Sequence, residues 1–303
     1  MPTYRYLHYD VFTDAALEGN QLAVFPEPAG LTSDAMQRIT REMNFSESTF
    51  IFPAEAAGTD VRMRIFTPGE ELPIAGHPTI GSTFALAHEG VIKPGQPQFT
   101  YGLGVGPTPV SLEWKDGSLG FAWMTMPLPT FGGEVTDRAP FARALGVGPE
   151  DLVKAPVQMV SCGNQFLFAT LSTRTAVDKV AIDRGRYAAS LKAAGLADLP
   201  VFIFTLDRAG SSGDETIYSR MLAPGFGIAE DPATGSASGP LGAYLFAHGL
   251  VPRERLTQVV SLQGVAMQRP SRIHVSIDGD GDRITRVRVG GRSVLVGEGV
   301  LTI

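Results

Sequence analysis

Four side chains able to do chemistry stand in short stretches rich in glycine, proline and serine: Glu47 in NFSESTFIF, His77 in ELPIAGHPTIGSTFALAHEG, and Asp231 and Ser236 in EDPATGSASG. A glutamate withdrawn from water has its carboxyl pKa raised toward the range in which it can take a proton from carbon and return it. Turned to solvent, as its serine neighbours equally allow, Glu47 is an ordinary surface carboxylate. His77 carries the side chain whose unperturbed pKa lies nearest neutrality. A carboxylate beside it would raise that value and a helix N-terminus would lower it. Its place between glycine and proline fits a residue that merely opens a helix equally well. Asp231 likewise fits a helix N-cap, and Ser236 alone decides nothing. Glu70, Glu71 and Glu230 sit in the same loops as lesser acidic candidates.

The elements that must carry these residues occur twice. RIFTPGEELPIAGHPTIGSTFALAHEGV from Arg64 matches RMLAPGFGIAEDPATGSASGPLGAYLFAHGLV from Arg220 in ordered features. Each runs from an arginine through a short apolar run and Pro-Gly to a loop of small residues, then an apolar helix closing on histidine and glycine. Upstream, GNQLAVF at Gly19 matches GNQFLFA at Gly163, each a strand opened by a turn-forming Gly-Asn. The repeat sets His77 of the first half against Asp231 of the second. LHYDVFT, NQLAVF, STFIFP and VRMRIFT read as strands of the first half, and VQMVSC, QFLFATL, PVFIFTL and TIYSRML as strands of the second. Helices are predicted over TSDAMQRITREMN, capped by Thr32 or Ser33, and over DRGRYAASLKAAG. TIGSTFALAHEG and SASGPLGAYLFAHG are apolar on nearly all sides and are predicted to be the buried axis of each half. If the halves face each other, both helix N-termini reach one cleft. There their open N–H groups and partial positive charge can hold an anionic substrate group.

Composition narrows the partners. At 303 residues, two units of about 150 are the natural division, with the boundary in MPLPTFGGE around residues 126–134. Lys+Arg 25 against Asp+Glu 31, with no basic run, gives no footprint for nucleic acid or anionic lipid. No stretch approaches the ~18 apolar residues of a membrane span. The opening MPTYRYLHYD lacks the charged-then-apolar order of a signal peptide, so a cytoplasmic protein without nucleic-acid or membrane partners is expected. A single cysteine, Cys162, excludes an internal disulfide. The five histidines show no close ligand-type spacing, so no metal is expected.

The stretches DVFTDAALEGNQLAVF, NFSESTFIF, FTPGEELPIAGHPTIGS and EDPATGSASGPLGAYL, in this order over nearly the whole chain, resemble the phenazine-biosynthesis PhzF-like family, which shares the diaminopimelate-epimerase fold. The resemblance implies an α+β protein of two similar, pseudo-symmetric domains, each a mixed β-sheet wrapped around a central helix, with the active site in the cleft between them. The expected domains are 1–128, joined by a last strand at about 293–303, and 129–292. By resemblance Glu47 is the proton-transferring acid/base, His77 and Asp231 are catalytic partners, and Gly76, Gly235 and Ser236 bind the substrate. The implied reaction moves a proton between carbons of a small carboxylate-bearing substrate, as a trans-2,3-dihydro-3-hydroxyanthranilate isomerase does. It needs no metal or organic cofactor, and the expected assembly is a homodimer.

The alternatives are an amino-acid epimerase or racemase working with bases other than cysteine, and a non-catalytic relative that binds a small molecule. The epimerase branch of the fold places a cysteine base at each helix N-terminus, where this chain has Gly76-His77-Pro78 and Asp231-Pro232. Cys162 lies at a strand start and is expected to be a buried, inert thiol.

Overall fold

The computed structural model describes residues 1–207 and 216–303 and falls into two compact units, Met1–Thr125 with Val289–Ile303, and Met126–Arg288. In the first unit, β1 (Thr3–Val11) and β2 (Asn20–Phe25) pair antiparallel, and α1 (Ser33–Met43) leads to β3 (Glu47–Pro53), parallel to β2. β4 (Val61–Phe66) returns antiparallel to β3 and carries the two-residue β5 (Glu71–Leu72) on its edge. After α2 (Gly76–His88), β6 (Gln98–Leu103) joins β4 in parallel, and β7 (Gly106–Lys115) and β8 (Ser118–Met126) continue antiparallel.

The second unit repeats this order. β9 (Thr130–Glu134), α3 (Arg138–Ala144), β10 (Gln158–Ser161) and β11 (Gln165–Thr170) precede α4 (Arg174–Lys179) and α5 (Arg184–Ala193). Then come β12 (Val201–Asp207), β13 (Thr216–Ala223), the short β14 (Ile228–Asp231), α6 (Gly235–Ala247), β15 (Val259–Gln263), β16 (Ser271–Asp280) and β17 (Arg283–Gly291). β12 is parallel to β11, β14 sits antiparallel on β13, and β15 is parallel to β13, as β3, β5 and β6 are placed in the first unit. β18 (Ser293–Thr302) pairs antiparallel with β1. The sequence repeat is therefore a repeat of one α+β topology.

Local signals explain the elements. Thr32 caps α1, its hydroxyl accepting the Ala35 N–H at 3.2 Å, and Asn44 ends the helix in the left-handed region at φ 52°. The buried face of α1, Met36 and Ile39, packs with Phe25, Phe50 and Phe66. Asp183 caps α5 in the same way. The two axial helices start earlier than their apolar runs predict: α2 at Gly76 rather than Thr79, α6 at Gly235 rather than Ser236. A proline in the first turn removes an N–H that has no partner there anyway, so Pro78 does not block that start. Both helices are buried on nearly all sides, which accounts for their lack of an apolar stripe. α2 lies so close to the sheet that a Cβ on Gly81 would stand 2.6 Å from both Leu22 Cδ2 and Val11 Cγ2.

Candidate active site

Glu47 opens β3 and lies in parallel register with Leu22 of β2, the residue that Gly81 of α2 approaches. That register turns its carboxylate toward α2. His77, the second residue of α2, is only 3% exposed, and its Nε2 lies 3.3 Å from Glu47 Oε2. The approach is close but lacks the alignment of a hydrogen bond. On the other side of the ring, Asn20 Nδ2 lies 3.3 Å from His77 Nδ1. Burial pushes the His77 pKa down to about 3, against the opposing pull of a hydrogen bond to the Gln21 backbone carbonyl. The imidazole is therefore neutral at physiological pH. A helix-opening histidine could have stood in water; this one is enclosed between a carboxylate and an amide.

Asp231 and Ser236 stand apart in role. Asp231 is not an N-cap. It ends β14, and Thr234 is the residue before the first turn of α6. The Asp231 carboxylate accepts the Thr234 hydroxyl at 2.5 Å. Counted from the helix starts, Gly76 matches Gly235 and His77 matches Ser236, so the expectation that His77 and Asp231 occupy one repeat position is corrected. β5 and β14 each end three residues before their helices, so Asp231 matches Leu72 at a strand end and not His77 inside a helix. In neither axial helix does the N-cap side chain accept a hydrogen bond from the first turn, whose N–H groups, those of Gly76 and Gly235 included, have no partner within the helix.

Two amides that the motifs did not single out hold these segments. Gln263, fully buried at the end of β15, donates to the Asp231 backbone carbonyl at 2.7 Å and to Thr234 Oγ1 at 2.9 Å, while its Oε1 accepts the Thr234 N–H at 3.1 Å. Its signal in the sequence was a polar residue at the inward positions of VVSLQ, after Val259 and Ser261. Asn20 was visible only as the turn residue of Gly-Asn. Two bidentate pairs, Arg64 with Glu71 and Arg220 with Glu230, tie β4 to β5 and β13 to β14, fixing the strands that lead into α2 and α6. Glu71 and Glu230 are thereby structural carboxylates, and Glu70 is exposed.

Cys162 is 1% exposed, and burial pushes its thiol pKa up to about 12, far from a reactive thiolate at neutral pH. Among the described residues no group of histidine, cysteine and carboxylate side chains has a metal-binding arrangement, and no helix is long and apolar enough to cross a membrane. A surface cavity of about 440 Å³ in the first unit is lined by Arg62, Arg64, Glu55 and Glu71 among others, not by Glu47 or His77. Its four charges pair with one another.

A family model described as phenazine biosynthesis-like protein, PhzC-PhzF, matches residues 9–299. The chain belongs to the PhzC-PhzF family. A trans-2,3-dihydro-3-hydroxyanthranilate isomerase from Pseudomonas aeruginosa is 35% identical over 296 residues, 98% of either chain. A PhzF-family phenazine biosynthesis protein from Bacillus anthracis superposes over the full length of both chains with a TM-score of 0.86 at 24% identity. A hydroxyproline epimerase from Agrobacterium vitis, 13% identical, shares the fold with a TM-score of 0.64 over 99% of this chain and 92% of its own. The protein is thus an isomerase of the PhzF type on a diaminopimelate-epimerase-like α+β fold.

Proposed function

We propose that this PhzF-type isomerase moves a proton between two carbons of a small carboxylate-bearing substrate without a cofactor, Glu47 taking the proton from one carbon and returning it to another. The observation that carries this reading is the Glu47 carboxylate set 3.3 Å from a buried, neutral His77. The neutral ring is a weak competitor for the proton, so Glu47 can hold it between the two steps. No electron is gained or lost: one C–H bond breaks, another forms, and the double bond shifts. His77 orients the carboxylate, Asp231 and Ser236 hold the substrate's polar groups, and the N–H groups at Gly76 and Gly235 receive its carboxylate. The relative named for trans-2,3-dihydro-3-hydroxyanthranilate makes that compound the first substrate to test. The setting proposed is a cytoplasmic homodimer, whose mass by light scattering would be twice 32.2 kDa.

The experiment follows the absorbance of that substrate and deuterium incorporation from heavy water, with Glu47→Gln beside the wild type. A general acid/base supplies ~10²–10⁴-fold, so the variant should lose at least that factor in kcat while an unreactive substrate analogue still binds. Near-normal turnover in Glu47→Gln rejects the assignment. Deuterium exchange at Cα of free amino acids, without isomerisation, would show an epimerase instead.

A further inference from the structure

Asn20 and His77 are 57 residues apart in the chain, yet they meet as a buried pair, 1% and 3% exposed. The nitrogen of an amide can only donate, so Asn20 Nδ2, 3.3 Å from Nδ1, calls for an unprotonated nitrogen at that position of the ring. A neutral imidazole then carries its hydrogen on Nε2, the atom that faces Glu47 Oε2. The opposite tautomer also has a partner. The ring has a hydrogen bond with the backbone carbonyl of Gln21, the residue next to Asn20, and since Nε2 makes none, Nδ1 is the nitrogen left to donate it. The Nε2 lone pair would then face Glu47 and favour a protonated carboxyl. The ring is thus held between a donor and an acceptor that ask for different tautomers.

We propose that Asn20 is a positioning residue that selects the Nε2–H tautomer of His77, and so keeps Glu47 as the carboxylate with which proton transfer begins. The proposal rests on the reading of Glu47 as the proton carrier and adds how that carrier is set. It also explains why the proton stays on Glu47 after abstraction. Nε2 already bears a hydrogen, and Nδ1 is occupied by the Asn20 amide, so the ring has no free site to accept another. The backbone holds Asn20 in place. Gly19 sits at φ +68°, where a Cβ would stand 2.3 Å from the Val11 carbonyl oxygen, and this turn delivers Asn20 into register with Val11 at the start of β2.

The test is a long-range ¹H–¹⁵N spectrum of the substrate-free protein labelled with ¹⁵N-histidine, His77 being assigned by its loss in His77→Gln. The wild type should show an unprotonated, imine-type Nδ1 and a protonated, pyrrole-type Nε2. In Asn20→Asp, which offers only acceptors, Nδ1 should become pyrrole-type. In Asn20→Leu, which offers nothing, Nδ1 should turn to the Gln21 carbonyl and become pyrrole-type as well. A wild-type Nδ1 that already bears the hydrogen overturns the proposal even if neither variant folds. So does an imine-type Nδ1 persisting in a folded Asn20→Asp or Asn20→Leu. These spectra need no turnover, so activity surviving in Glu47→Gln would remove the catalytic reading and leave the tautomer result standing.

Discussion

Acidification should destabilise this protein through the buried His77 ring. His77 binds a proton at the ordinary value of 6.5 in the unfolded chain and only near 3 when buried in the fold. Between those values the unfolded state holds a proton that the folded state lacks, so stability is full above pH 6.5 and falls as pH drops toward 3. The slope is about 1.4 kcal/mol per pH unit, so going from pH 7 to pH 5 costs about 2 kcal/mol from His77 alone. The assay is urea unfolding at both pH values and constant ionic strength, comparing wild type with His77→Gln, which keeps a polar side chain of similar reach. The variant should lose about 2 kcal/mol less than the wild type over that interval, other groups cancelling in the difference. Equal losses in wild type and His77→Gln refute the reasoning. So does a His77 ring resonance that titrates near pH 6.5 in the folded protein.

Two packing features give further tests. Gly81→Ala would drive a methyl to 2.6 Å from Leu22 and Val11, and overpacking of this kind should cost roughly 1–3 kcal/mol in urea unfolding; an unchanged midpoint would mean that α2 does not sit so close to the sheet. The Cys162 thiol, 1% exposed and with its pKa raised to about 12, should react with an aromatic disulfide reagent far more slowly in the native protein than in urea. Rapid native labelling at pH 8 would contradict that burial.

Much of the site could be read from its local surroundings, and the exceptions share a cause. The cap at Thr32, the turn at Gly19-Asn20 and the apolar character of α2 and α6 depend on neighbours a few residues away, so the string of residues displays them directly. Asp231 shows the opposite case. As a residue type before a helix it looked like a cap, but the Gln263 amide, 32 positions downstream, holds its backbone at the end of β14 and leaves the capping place to Thr234. Glu71 and Glu230 looked like spare acids until the strand pairing placed Arg64 and Arg220 against them.

The amino-acid order alone establishes the repeated α+β unit, its apolar axial helices and the family to which the chain belongs, because periodicity, turn chemistry and motif identity are properties of consecutive residues. Whether Glu47 faces water or α2, and whether His77 is charged or neutral, were open until the chain folded. Those depend on register and desolvation: parallel pairing of β2 with β3 aims Glu47 at the helix, and the closing of Asn20, Gln21 and Glu47 around the ring removes the water that would have kept His77 near its ordinary pKa.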